Sequence, residues 1–447
     1  MQETVASALA QLARLDPAAA RSAESALASL TAGQSLEQLT QRAVQDFCWY
    51  VLPVRFSAES QDRLFVARSL GRLFSLLDLP RYAAVCTSEA TRGVLAAHAL
   101  GHSAGVAAYA RRMHASGIEP PDLTELTWGT ALGSAEIEAY QATSAALELA
   151  VAAGDVRPEA PGWRAAREQQ ARVFLTQPDG HGRSRLDRVR EERVRAWLAA
   201  PSHPHRQRLW PLLGQIIAGA EPPPGAARAL APVQRLLDYA HDGIQLTQIG
   251  YVSPTVVREL CAEFGWSTTP SPPRSETDVM QLIALHKLLR SMRAVRRSGR
   301  RLVLTRRGRQ LHAGTEALWR AVAESVLRTD GFEQAAAETL FGLLLLRSPR
   351  SGSHRRDDGE GDGIDIAEEA RLVLTDAGWE HDGTGEEPGT QQVRSVLITV
   401  TWLLETLGCV LDPGLLGEGR SQRLTKVGRA FALTAIHLSA TTPRASI

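Results

Sequence analysis

Leu230-Ala-Pro-Val-Gln-Arg-Leu-Leu-Asp-Tyr-Ala240 carries apolar residues at helical spacing, and Gly243 follows where a helix end needs a residue free to turn. Ile244-Gln-Leu246 alternates apolar and polar, enough for one short strand. Ser253-Pro254 then predicts a helix start, because serine caps well and proline at the first helical position loses no useful donor. That helix runs through Val256, Val257, Leu260 and Phe264 and ends near Gly265-Trp266. After Pro270, Pro272 and Pro273, Ser275-Glu-Thr-Asp278 has the form of a capping box. It predicts a third helix with Val279, Leu282, Ile283, Leu289 and Met292 on one side. Ala294–Arg297, Ser298-Gly299 and Arg301–Thr305 read as a hairpin with a tight turn, and Gly308 and Leu311 lie in the segment leaving it.

A weaker copy follows over Phe332–Ala432. Ile366–Ala377 ends at Gly378-Trp379, as the earlier helix ends at Phe264-Gly265-Trp266. Thr390–Leu407 is apolar at positions 393, 396, 397, 400, 403, 404 and 407, a strong helical stripe. Cys409–Leu411 and Gln422–Leu424 predict a second hairpin around a Gly-rich tip. Leu424-Thr425-Lys-Val-Gly428-Arg429 repeats Leu304-Thr305-Arg-Arg-Gly308-Arg309. Two elements matching in the same order at similar separation point to duplication. Within the copy, Ser348–Gly363 lacks aliphatic and aromatic residues, so it is expected to be a disordered insertion.

Helix, short strand, helix, helix and hairpin, followed by Leu304-Thr305-Arg-Arg-Gly308-Arg309, resembles winged helix-turn-helix proteins over about a fifth of the chain. The stretch from Gly265 to Ser275 is longer than the usual turn of that fold. Comparable segments resemble parts of large uncharacterised actinobacterial proteins, a likeness that names a lineage and no activity. The fold class expected is mainly α: a helical N-terminal region followed by two tandem winged-helix-like units with small β-hairpin wings.

A chain of 447 residues has room for two to four domains with sizeable cores. The expected division is a helical domain at 1–157, a helical connector at 158–225, a first winged-helix-like domain at 226–328 and a second at 329–440. Glu221-Pro-Pro-Pro-Gly225 is the cleanest linker. In the N-terminal part, Val5–Leu15, Ala23–Leu30, Leu64–Leu77, Ser134–Ala152 and Trp163–Leu175 read as helices, and Ser88 caps Glu89–Ala99. Another helix is expected from Ser35 through Val44, Phe47 and Cys48, ended by Trp49-Tyr-Val-Leu-Pro53. Arg183–Leu198 interleaves Arg and Glu, the mark of a solvated face. No solenoid period persists.

The apolar fraction of 44% is ordinary for a globular chain. Of 50 basic residues only Lys287 and Lys426 are lysine, a bias that fits a GC-rich genome. A net charge of +1 gives the whole chain no long-range pull on nucleic acid or anionic membrane. Cys48, Cys86, Cys261 and Cys409 are widely spaced in apolar runs, as expected for buried thiols in a reducing compartment. The N-terminus lacks a basic segment followed by an apolar core, and no run of 18 uncharged apolar residues occurs, so a cytoplasmic location without membrane contact is expected.

The strongest functional signal is Lys287–Arg309, which holds ten Lys/Arg and no acid. Arg296, Arg297, Arg300, Arg301, Arg306 and Arg307 could all reach phosphates, and each phosphate neutralised releases counterions. The first recognition helix argues against base reading, since Glu276 and Asp278 open it and its body is apolar. The second begins with Thr390, Gln391, Gln392 and Arg394, residue types able to pair with base edges but equally ordinary in a polar first turn. His98 and His102 have helix-face spacing yet lack a glutamate between them, His203-Pro-His205 has no nearby acid or cysteine, and His286 falls on an apolar face. Cys86 has His98 and His114 downstream, and Glu119, Asp122 and Glu125 cluster loosely; neither pattern rises above background. No phosphate-binding loop or dinucleotide fingerprint is present in the sequence.

The function expected is therefore a non-enzymatic, DNA-associated regulatory role with double-stranded DNA as partner, and no cofactor or metal. The N-terminal half would serve ligand, partner or self-association. The alternative is a protein–protein interaction scaffold, a role that an apolar recognition helix such as the first one here suits. An enzyme would need Cys86 beside a histidine, or His98 and His102 beside an acid. The feature that discriminates is whether the Lys287–Arg309 arginines share one exposed face or are neutralised by Glu-rich helices.

Overall fold

A computed structural model describes residues 2–56, 60–266, 271–347, 365–380, 385–411 and 423–443. The insertion expected at 348–363, and Gln422 of the second hairpin, lie outside them. The described chain is mainly helical with one small three-stranded antiparallel sheet. It forms two compact units, one running to Val189 and the other from Arg190 to Thr442.

The first unit is built from α1 (Gln2–Leu15), α2 (Pro17–Thr31), α3 (Gln41–Asp46), α4 (Leu52–Arg55), α5 (Ser60–Leu76), α6 (Pro80–Thr87), α7 (Glu89–Leu100), α8 (His102–Ala115), α9 (Ser134–Ala153) and α10 (Trp163–Thr176). Leu12, Phe47, Leu70, Leu73, Phe74 and Leu95 fill its main core. The helix expected from Ser35 is broken. Ser35 caps only a short 3-10 turn, Leu39 is extended, and the Thr40 Oγ1 accepts the Ala43 N–H at 3.2 Å to start α3. Trp49-Tyr-Val-Leu-Pro53 does not end it, because a π turn at Phe47–Val51 carries the chain directly into α4. α5 closes at Leu76, and Pro80 then starts α6, since proline costs nothing in a first turn. His98 and His102 do not share a helix face. Gly101, at φ 150°, ends α7 between them and His102 opens α8.

The second unit takes over within α11 (Arg185–Leu198), continues through a 3-10 segment at Pro204–Leu212, and then α12 (Leu213–Ala218) and α13 (Ala226–Ala229). Leu198, Leu209, Leu212 and Ile216 lie in the same core as the residues after 226, so Glu221–Gly225 is a connection inside this unit rather than a boundary. Nor is α11 simply solvated: Val189, Val194 and Leu198 are buried, and buried Arg193 donates to the Thr441 carbonyl at 2.8 Å.

Next come α14 (Ala231–Asp242), β1 (Ile244–Gln245), α15 (Pro254–Phe264), α16 (Met280–Ser291), β2 (Val295–Ser298), β3 (Arg301–Leu304), α17 (Arg306–His312) and α18 (Thr315–Val326). Val233, Leu236, Leu237 and Ala240 form the buried stripe of α14, and Gly243 stops it at φ 91°. Ser253 stands extended before Pro254 but makes no side-chain cap bond. The Ser275–Asp278 capping box forms, yet it closes a single 3-10 turn, and extended Val279 separates that turn from α16. The sheet order is β1-β3-β2, with Val295 opposite Leu304, Arg296 opposite Val303 and Arg297 opposite Leu302.

The chain then adds α19 (Gly331–Arg347), α20 (Ile366–Asp376), α21 (Thr390–Thr406) and α22 (Lys426–Thr441). α16 packs against α21, and α18 against α22, in one continuous core. At its centre Trp319 meets Phe431 edge-on, with ring centroids 5.4 Å apart. A buried carboxylate ties in the 3-10 segment: Glu338 accepts two bonds from Arg206, at 2.7 and 2.9 Å, and faces the His205 ring at 3.0 Å. Burial alone would raise this carboxyl; the bonds from His205 and Arg206 outweigh it and hold it below the ordinary value.

The two Leu-Thr-x-x-Gly-Arg sequences make the same turn. The Thr305 Oγ1 accepts from the Gly308 N–H at 2.9 Å, and the Thr305 N–H donates to the Ala294 carbonyl at 2.9 Å. The Thr425 Oγ1 accepts from the Gly428 N–H at 3.0 Å, and the Thr425 N–H donates to the Cys409 carbonyl at 2.9 Å. Val295 pairs with Leu304 in the first, and Val410 bridges Leu424 in the second. Each glycine lets the helix press onto that carbonyl: a Cβ on Gly308 would sit 2.0 Å from the Ala294 oxygen, and one on Gly428 would sit 1.8 Å from the Cys409 oxygen. Gly308→Ala and Gly428→Ala are each expected to destabilise the second unit by about 1–3 kcal/mol or more through overpacking, read as a lower urea midpoint; an unchanged midpoint for either would show that its turn relaxes freely.

Candidate nucleic-acid interface

Opposed residues of an antiparallel pair share a face. Val295, Leu302 and Leu304 therefore point together into the core and are buried, while Arg296, Val303 and Arg301 share the other face. Both arginines there are exposed. Gly299, at φ 60°, takes the first loop position, as a two-residue hairpin turn requires, and leaves Arg300 at the tip. Arg297 is also exposed, and its Nε donates to the Gly299 carbonyl at 2.9 Å. Arg306 and Arg307 open α17 just beyond the hairpin.

Of the ten cations from Lys287 to Arg309, nine are exposed and Arg307 is half-buried. Among the described residues only Arg307 reaches a carboxylate, the Glu324 Oε2 at 3.9 Å. The hairpin is thus not neutralised by the acidic helices around it.

The third helix is placed differently from expectation. Leu282, Ala284, Leu285, His286, Leu288 and Leu289 of α16 are buried, leaving Lys287 and Arg290 exposed in its body. Its apolar face, the surface a protein partner would need, is used inside the chain against α14, α18 and α21. Glu276 is also not at the surface facing phosphates. It is buried, takes the Val252 N–H at 2.6 Å and lies 2.8 Å from the His286 Nδ1. Asp278 accepts the Arg274 and Ser275 N–H groups at 2.9 and 3.0 Å. The sequence missed both roles, although the capping-box pattern foreshadowed that of Asp278.

In the second half, Thr390, Gln391, Gln392 and Arg394 do begin α21, but two acids stand among them. Arg394 is ion-paired with Asp365, and Thr390 donates to Glu368. Gln391 is exposed and Gln392 half-buried. Two carboxylates beside this turn make it a poor phosphate site, and the pairing takes Arg394 out of reach of a base edge.

Of the other candidates, His114 and Glu119 meet, Nδ1 to Oε2 at 3.4 Å. Cys86 meets Cys48, Sγ to Sγ at 3.8 Å, rather than a histidine. His98 Nε2 lies 3.2 Å from the Trp49 carbonyl, and His205 is held by Glu338. Among the described residues no group of three or more His, Cys, Asp or Glu is placed to hold a metal, and no helix is long and apolar enough to cross a membrane.

Glu368 carries a pH signature. The hydrogen bonds from Arg371 and Thr390 hold its carboxyl at about 2, below its usual 4.5. A depressed carboxyl contributes stability above its unfolded value and loses it as pH falls through the folded one. Wild type should therefore lose more stability than Glu368→Gln between the ordinary glutamate range and about pH 2, measured by urea unfolding at a series of pH values; parallel pH profiles would count against the pairing.

No family model, no curated protein and no solved structure matches this chain.

Proposed function

We propose that this protein is a non-enzymatic, DNA-associated regulatory protein whose Arg-rich hairpin grips the phosphate backbone of double-stranded DNA. The observation that carries this reading is the run of ten cations from Lys287 to Arg309, nine of them exposed, with only half-buried Arg307 ion-paired to an acid among the described residues. Unpaired guanidiniums on a rigid hairpin suit phosphate oxygens, because little side-chain pairing must be broken before contact. The order of helix, strand, two helices and hairpin fits a winged-helix-like unit, with β2 and β3 as its wing.

In this reading binding is directed at the backbone rather than at base sequence. The helix that would enter the major groove, α16, is largely buried, so it has few side chains to offer base edges. Arg394 in the second half is committed to Asp365. Affinity would then come from counterion release and fall steeply with salt. The scaffold alternative loses its main support, since the apolar face of α16 is covered within the unit.

The test is binding to random-sequence duplex DNA across a salt series, beside a variant with Arg296, Arg297, Arg300 and Arg301 changed to Ala. The wild type should weaken linearly on a log–log plot, and the variant's slope should be shallower by up to about 3–4, near one per lost contact. Equal slopes would remove the hairpin from the interface, and no binding at low salt would overturn the DNA reading.

A further inference from the structure

A second turn stands against the arginine hairpin. Leu246 and Val252 pair as an antiparallel bridge, and between them the Thr247 N–H donates to the Tyr251 carbonyl at 2.8 Å. The Gly250 N–H donates to the Thr247 carbonyl at 3.1 Å, and the Tyr251 N–H to the Thr247 Oγ1 at 3.0 Å. Both feet are fixed. Leu246 and Val252 are buried, and Glu276 takes the Val252 N–H from below. The tip carries Ile249, which is 78% exposed.

This tip and the arginine tip are locked side by side. The Leu246 N–H donates to the Arg300 carbonyl at 2.8 Å. Arg297 lies over the neighbouring glycine, with Nη1 3.9 Å from where a Gly250 Cβ would be. A lone exposed isoleucine is ordinary on a protein surface. Here, however, it projects from a turn braced by hydrogen bonds, beside guanidiniums that have no acidic partner among the described residues.

We infer that Ile249 is a wedge that enters a base-pair step of the bound duplex and bends it, while Arg297 and Arg300 hold the flanking phosphates. This rests on the proposed DNA reading and adds a named deforming residue to it. An aliphatic side chain pushed into a step from the minor groove partly unstacks it, and the bend brings more backbone against the protein. The unstacking cost is recovered through the added phosphate contacts that the neighbouring arginines supply. Pyrimidine–purine steps, which unstack most easily, are the sites the wedge would prefer.

The experiment is end-to-end energy transfer on a short duplex carrying a central TA step and a dye at each end, with wild type, Ile249→Ala, and the Arg297→Ala/Arg300→Ala double variant. Wild type should shorten the end-to-end distance as a bend of roughly 20–90° would. Ile249→Ala should leave the duplex nearly straight and bind with a somewhat shallower salt slope, because the phosphate contacts that the bend adds are lost, and the double variant should bind more weakly with a slope shallower still. Binding by wild type without bending, or undiminished bending by Ile249→Ala, overturns the wedge and leaves the phosphate reading standing. No binding by wild type at low salt overturns both.

Discussion

Burial of α16 is the constraint on which the second unit depends. Leu282, Leu285 and Leu289 are fully buried, and α14, α18 and α21 pack around the helix. Each such leucine contributes about 1.5–3 kcal/mol relative to an exposed one, so drawing this helix out would cost about 4.5–9 kcal/mol from these three alone, comparable with the whole stability of a typical domain. Because α21 comes from the second half, the same contact joins both halves into one core. A helix spent this way has few side chains left to offer, and in the proposed reading the hairpin that leaves its C-terminal end makes the contact instead.

The hairpin is anchored by its inner face, although exposed Arg297, opposite Leu302, lies on that same face near the tip. Val295, Leu302 and Leu304 anchor it, and the turn capped by Thr305 clamps its base to α17 through the close approach of Gly308 to the Ala294 carbonyl. The arginines then stand on a support with little freedom left. A net charge of +1 conceals this, since the acids that balance the hairpin are used elsewhere. Asp365 holds Arg394, Glu368 holds Arg371 and Thr390, and Glu338 is buried with Arg206.

The buried acids follow one rule. A carboxylate out of water must be met by donors that replace its hydration. Glu338 receives Arg206 and Gln334 and faces His205, and Glu276 receives the Val252 backbone and faces His286. Each ties together segments distant in sequence: Glu338 links the 3-10 segment to α19, and Glu276 links α16 to the loop that carries Ile249.

Much of the local structure was legible in the residues alone. The stripe of α14, the stop at Gly243, the proline at the start of α15, the tight turn at Gly299 and the repeated Leu-Thr-x-x-Gly-Arg sequence depend on contacts within a few residues, so spacing and residue type were enough. The breaks at Thr40, Val279 and Gly101 were harder to read, because a cap or an extended residue interrupts an otherwise continuous apolar pattern. Beyond reach of the sequence was every feature that joins distant segments. Position in the chain could not show that Glu276 turns inward, that Arg394 is taken by Asp365, that residues 190–225 share the core of the second unit, or that the Ile249 turn stands against the arginine tip. Where the charge concentrates and which short segments turn can be read along the chain; which charges stay unpaired and which helix is buried cannot, because pairing and burial are set by neighbours that the fold, not the chain order, brings together.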